Sequence, residues 1–186
     1  MRPRLVALTV TIDTETTGLG ANDRRGARID GVVQVGIAYR IPKKEVRVWS
    51  KLCNPGAKFL ALGRADEALA INRLSVPTIL EAQPADAVAS ELRELLATIA
   101  EKHGGIELRA YNMGFDRPFL EVPPWRLAHS WGQCLMIEAM EHYGLDRRPR
   151  LIDALSIAKV PWEAELHDAG ADAHAALLLH EAMCNP

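Results

Sequence analysis

The stretch Val10-Thr11-Ile12-Asp13-Thr14-Glu15-Thr16-Thr17-Gly18 constrains this chain more than any other. An apolar, β-branched run leads into two carboxylates two positions apart. Side chains of a strand alternate between faces, so Asp13 and Glu15 project to the same side of whatever sheet this strand joins. Two neighbouring anions repel, and burying them without a partner is costly, so the pair points to a cation held between them. Two later segments carry the groups such a site would still lack: Tyr111-Asn112-Met113-Gly114-Phe115-Asp116 and His167-Asp168-Ala169-Gly170-Ala171-Asp172-Ala173.

Residues 5–12 read as a buried first strand ending just before Asp13. The runs 31–40 (GVVQVGIAYR) and 45–52 (EVRVWSKL) read as two more, joined by a turn at Pro42-Lys43-Lys44, which makes an antiparallel meander. Val88, Leu92, Leu95, Leu96 and Ile99 recur at helical spacing behind Pro84 and predict a helix over 86–100, ended by Gly104-Gly105. A short strand over 106–111 follows. Asp116-Arg117-Pro118 reads as a helix start with Asp116 as its cap, since proline is tolerated in a first turn. Helices are predicted over 135–143 and 151–159, and an amphipathic one over 171–183. This order describes an α/β domain with a mixed sheet. With 186 residues and no repeat, linker or low-complexity tract, the chain reads as one domain, 1–186.

A hydrophobic fraction of 48% supports a packed core and excludes a disordered chain. A formal charge of −2 excludes a globally basic nucleic-acid binder, so any such binding must use local patches. The candidates are Arg24, Arg25 and Arg28; Lys43, Lys44, Arg47 and Lys51; and Arg147, Arg148 and Arg150. Taken singly, each is ordinary solvated surface. Cys53, Cys134 and Cys184 are odd in number and lack CxxC spacing, which fits a reducing compartment. The first apolar run is too short and polar for a signal peptide, and no stretch approaches the ~20 apolar residues of a membrane span. These features predict a cytoplasmic protein.

Asp13, Glu15, Asp116 and Asp172 supply four carboxylates from three segments, an all-oxygen donor set suited to Mg²⁺ or Mn²⁺. Such a site can hold two ions ~3.5–4 Å apart, one acidifying a water and one stabilising the leaving oxygen of a phosphoryl displacement. His167, with an ordinary imidazole pKa of ~6.5, is the candidate proton acceptor. Asp168 lies four residues before Asp172 and is a rival ligand, though a helix cap is its better reading. His174 and His180 fall inside the last helix, away from the base position. Asp153 and the four tryptophans (Trp49, Trp125, Trp131, Trp162) read as structural.

Taken together, these motifs resemble the DEDD superfamily of 3′→5′ exonucleases in its histidine (DEDDh) branch, which includes polymerase proofreading subunits, RNase T and oligoribonuclease. The likeness rests on D-x-E-T-T-G at 13–18, N-x-x-F-D at 112–116 and H-x-A-x-x-D-A at 167–173, and covers nearly the whole chain. The sister branch places tyrosine four residues before the last aspartate, where this chain has Asp168. Ile71-Asn72-Arg73-Leu74-Ser75 is also similar to a short family helix preceding the long one.

The resemblance implies an RNase H-like mixed five-stranded sheet flanked by helices. It implies two divalent ions, Mg²⁺ with Mn²⁺ as substitute, on Asp13, Glu15, Asp116 and Asp172, and His167 as general base. Thr16, Thr17, Leu19 and Asn112 would contact substrate, with the leucine wedged against the terminal base and Phe115 in the core beside it. The substrate would be a single-stranded 3′ end, DNA ahead of RNA, with no membrane partner. An RNase T-like trimmer of RNA and a non-catalytic binding module of the same fold are the alternatives. A homodimer or a polymerase partner is compatible with the sequence, although the end at Pro186 points to a free-standing enzyme. The chain departs from the family in a long basic loop over 19–30, and in Trp131-Gly132-Gln133-Cys134 where relatives carry an Asp-Thr pair.

Overall fold

The chain forms β1 (Leu8–Thr16), β2 (Val32–Arg40), β3 (Val46–Leu52), α1 (Ala57–Leu60), α2 (Arg64–Ile71), α3 (Val76–Glu81) and α4 (Ala85–His103). It continues through β4 (Ile106–Arg109), α5 (Met113–Leu120), β5 (Ser130–Trp131), α6 (Leu135–His142), α7 (Leu151–Ile157) and α8 (Ala169–Cys184). The structure, a computed structural model, describes residues 7–20, 29–60, 64–162 and 167–184. Its five strands lie in the order β3-β2-β1-β4-β5. The first three are antiparallel, and β4 and β5 add in parallel. This is the expected mixed sheet flanked by helices.

Register decides which face each residue serves. Ile12 pairs with Ile37, Asp13 with Gly36, Thr14 with Val35 and Glu15 with Gln34. Directly paired residues share a face. Val10, Ile12, Val35, Ile37 and Tyr39 therefore meet Val88, Leu92 and Leu96 of α4 in the main core. The opposite face carries Thr11, Asp13 and Glu15 beside Ala38, Gly36 and Gln34, and there Ala38 packs on Ala173 and Leu177 of α8. A helix thus covers each side of β2, which explains its continuously buried pattern.

Several elements differ from the sequence reading. β1 runs on through Thr16, so both carboxylates of its motif sit within a strand rather than beyond one. α8 is not amphipathic. Ala173 and Leu177 touch the sheet, while Ala175, Ala176, Leu179 and Met183 pack against α6 and α7, which leaves the helix no broad solvent face. α4 runs three residues further than predicted, to His103, where Gly104 closes it in a left-handed conformation (φ 73°). Residues 71–75 are not one short helix. They comprise the end of α2, a turn with Arg73 at φ 54°, and Ser75 capping α3 by accepting the Thr78 N–H at 3.2 Å. Among the described residues no helix is long and apolar enough to cross a membrane.

Candidate active site

The site begins where strand pairing stops. β1 pairs with β4 only from Leu8↔Ile106 to Thr11↔Arg109, which leaves the next stretch of β1 open on that side. The chain leaving β4 turns into α5 across this opening. The Thr14 N–H and hydroxyl both donate to Asp116 Oδ1, at 3.0 and 2.8 Å. Asp116 is therefore not the cap of α5. The helix starts earlier, at Met113, with Asn112 in the cap position and Pro118 inside the helix. Two tertiary hydrogen bonds outweigh the local preference of Asp for a cap.

The third segment arrives because β2 carries no side chain at residue 36. A Cβ on Gly36 would lie 2.2 Å from the Ala169 carbonyl carbon, so the start of α8 sits directly on the strand beside Asp13. The Thr11 hydroxyl donates to the Ala173 carbonyl oxygen at 2.6 Å, which sets the helix along β1. Asp168 caps α8, its Oδ1 accepting the Ala171 N–H at 3.0 Å, while its Oδ2 accepts from Gln34 Nε2 at 2.6 Å. Both of its oxygens are thus engaged. Asp172, in the first turn of α8, accepts the His167 N–H through Oδ2 at 3.2 Å. Its Oδ1 is buried with no hydrogen-bond partner among the described residues. His167 takes a left-handed turn (φ 70°) into the helix. Ligand atoms of Glu15, His167 and Asp172 lie within 4.8 Å of one another.

Electrostatics tie the remaining carboxylates into the cluster. Burial, followed by repulsion from Asp116, Asp172 and Glu15, holds the Asp13 carboxyl well above the ordinary carboxylate range. Burial and then Asp172 and Asp116 raise Glu15 to about 7. Asp116 is also raised to about 7 by burial, even though the two Thr14 bonds pull it down. Burial raises Asp172, with partial relief from the His167 N–H. Anions at this density need a counter-charge. The hard oxygen donors, with one buried oxygen unpartnered, fit a divalent cation such as Mg²⁺ or Mn²⁺.

Beside the carboxylates lies a cleft of about 410 Å³ lined by Thr14, Glu15, Thr16, Leu19, Ile71 and Phe115 among others. Leu19 is 90% and Ile71 55% exposed, so two large apolar side chains stand in solvent on one cleft. Phe115 packs on Phe119 with ring centroids 5.4 Å apart and also lines the cleft, so it is more than a core residue. Thr16 lines it too, with its hydroxyl turned onto the Gly18 carbonyl at 2.7 Å. Thr17 does not. It is fully buried, with its N–H donated to Gly31 and its hydroxyl accepting the Gly31 N–H. The Asn112 side chain is exposed and is also absent from the lining.

Sequence analysis read Ile71 and Asn72 only as part of a family-like short helix and missed Glu67; all three border the cleft from α2 and the turn after it. The available signals were that resemblance and Ile71 itself, an apolar residue off the buried stripe of its helix. It also missed Asp30, a buried carboxylate that accepts the Gly20 N–H at 3.0 Å and braces the segment after β1. Arg24, Arg25 and Arg28 of the basic loop lie outside the described residues.

No family model and no curated protein sequence matches this chain. Solved structures do. The nuclease domain of 3′hExo, a DEDDh family member bound to rAMP, aligns with a TM-score of 0.74 at 13% identity, covering 97% of this chain and 93% of that one. A full-length 3′-exonuclease aligns at 0.75 and 14% identity, over 95% of this chain and 81% of the other. E. coli exonuclease I in complex with a dA16 oligonucleotide aligns at 0.68 and 17% identity, over 95% of this chain but 40% of that protein. The chain likewise spans 64% of cell-death related nuclease 4. At these identities the likeness is one of fold: the chain has the mixed-sheet fold of these 3′-exonuclease structures.

Proposed function

We propose that this chain, acting as one domain over residues 1–186, is a metal-dependent 3′→5′ exonuclease that releases nucleoside 5′-monophosphates from single-stranded ends. One observation carries the reading. Carboxylates from three separate segments, poorly solvated and with an unpartnered Asp172 oxygen, gather beside a cleft edged by exposed Leu19 and Ile71. Asp13, Glu15, Asp116 and Asp172 would hold two Mg²⁺ ions, with Mn²⁺ able to replace them. Bound there, the ions supply an acidified water and neutralise charge on the phosphodiester.

The chain's own residues supply the rest. A ring nitrogen of His167 takes the proton of the attacking water, a role its exposed position before α8 supports. Leu19, Ile71 and Phe115 enclose the terminal base, and Thr16 borders its sugar. The bond from water oxygen to phosphorus forms as the bond from phosphorus to the preceding 3′ oxygen breaks. Arg147 and Arg148 are exposed on a loop whose Pro149 carbonyl accepts the Tyr111 hydroxyl at 2.7 Å, which tethers it to the end of β4. They offer cations to the phosphates of the strand behind the terminal nucleotide. DNA is the first substrate, and the rAMP bound to one structural neighbour supports RNA as the second. Three free thiols fit a reducing compartment such as the cytoplasm.

The test uses 5′-labelled DNA and RNA of one sequence, with Mg²⁺ or Mn²⁺, EDTA and the Asp13→Ala variant. A ladder shortening from the 3′ end, lost with EDTA and in the variant, supports the exonuclease, and the faster strand identifies the sugar. Cleavage by Asp13→Ala at the wild-type rate would overturn the site. No cleavage of either strand by folded, metal-loaded protein would favour a binding module.

A further inference from the structure

Gln34 is buried and has no part in the chemistry proposed above, yet it touches three elements at once. It stands opposite Glu15 in the β1–β2 register. Its Nε2 donates to Asp168 Oδ2 at 2.6 Å and to Ser50 Oγ on β3 at 3.1 Å. Its Oε1 accepts the Ala169 N–H at 3.4 Å. This orientation of the amide sets both N–H groups against acceptors and the carbonyl against a donor, whereas a flip would set oxygen against the Asp168 carboxylate and N–H against the Ala169 N–H. Asp168 in turn caps α8 by accepting the Ala171 N–H. Residues 167 and 172 flank that cap, one immediately before it and one four residues after it. The close approach of Gly170 to Ser50 leaves the helix start no slack, since a Cβ on Gly170 would lie 2.8 Å from Ser50 Cβ.

We propose that Gln34 is a positioning residue: through Asp168 and Ala169 it sets the register of the α8 start, and with it the placement of His167 and Asp172 against Glu15. The inference rests on the exonuclease reading for its kinetic consequence and on geometry alone for its structural one. A short hydrogen bond to a carboxylate is charge-assisted and among the stronger ones a protein makes. A displacement of about 1 Å at a catalytic group costs roughly 10²-fold in rate.

Three measurements test it. Gln34→Met keeps the side-chain size and removes every hydrogen bond. It should lower kcat at least tenfold, leave KM for a single strand within threefold, and speed amide exchange at Ala169 and Ala171. On a His167→Ala background the same change should cost clearly less than in the wild type, because the part of its effect that runs through His167 is already lost. Gln34→Glu alone sets a second carboxylate against Asp168 and should be worse than Gln34→Met. Gln34→Glu combined with Asp168→Asn reverses donor and acceptor, preserves every other bond and the net charge, and should recover most of kcat and of the amide protection. Equal losses from Gln34→Met in both backgrounds, or a swap that recovers neither property, would overturn the proposal. Wild-type protein that cleaves nothing but loses amide protection on Gln34→Met would instead remove the exonuclease reading and keep the clamp.

Discussion

Thr14 gives both its N–H and its hydroxyl to one oxygen of Asp116, at 3.0 and 2.8 Å, across 102 positions of sequence. The residue between the two motif carboxylates thereby fixes the third, and leaves the other Asp116 oxygen to the cluster. Thr14→Val removes the hydroxyl bond and keeps the shape. It should cost about 1–2 kcal/mol of stability and lower kcat roughly tenfold. Thr14→Ser should keep most of both. Urea unfolding and steady-state kinetics check this, and a Thr14→Val protein with unchanged kcat would remove the link.

Gly36 is the second point of leverage. Gly36→Ala places a methyl group 2.2 Å from backbone of Ala169, with no flexible side chain to yield. The start of α8 must lift, at a cost of about 1–3 kcal/mol and on the order of 10²-fold in rate. The adjacent Ala38→Gly change, on the same face but further from the carboxylates, should lower stability while sparing turnover. Thermal melts beside kinetics separate the two.

The carboxylates predict a pH dependence of stability in metal-free protein. Glu15 and Asp116 titrate near 7 in the folded chain and near 4 when unfolded. Between those values the folded state binds more protons, so stability falls as pH rises. Tm in EDTA should drop between pH 5 and 8 by roughly 4–8 °C, equivalent to about 2 kcal/mol. Mg²⁺ or Mn²⁺ should restore it at pH 8 and matter little at pH 5. Asp172→Asn should flatten the profile and abolish metal-dependent stabilisation. A Tm that rises with pH in EDTA would contradict the clustering.

His167→Ala should lower kcat ~10²–10⁴-fold at neutral pH and recover in part as pH rises, because hydroxide replaces the base. Stabilisation by Mn²⁺ should survive, since the carboxylates remain. Loss of metal-dependent stabilisation in this variant would make His167 a ligand instead, a role its distance to Glu15 and Asp172 permits.

Arg147→Ala with Arg148→Ala should weaken single-strand binding most at low salt. If each arginine contacts one phosphate, the slope of log K against log salt should shrink by about 1.4. Hydrolysis of a small nucleotide ester that reaches no further than the cleft should be unchanged. An unaltered slope would assign the loop to ordinary solvated surface.

Much of the candidate site was legible in the sequence because the chemistry proposed for it is carried by residue type at short spacing. Asp13 and Glu15 share a face through strand alternation, and the apolar runs 31–40 and 86–100 could only be a buried strand and a helix. What sequence alone left open depends on contacts between distant segments. Asp116 looked like a helix cap because cap preference is local, whereas the open edge of β1 that claims it exists only once β4 stops at Arg109. That α8 has no polar face and is buried between the sheet and two helices appears only in the packed fold. Gln34 and Asp30 carried no motif, and the family-like stretch from Ile71 said nothing of a cleft, since a hydrogen bond or an exposed face is a property of neighbours. Sequence by itself determined the candidate donor set and the faces of the strands, which follow from residue type, covalent geometry and period. Tertiary structure decided the convergence of the carboxylates, because the pairing register and the missing side chain at Gly36 bring the start of α8 onto β2.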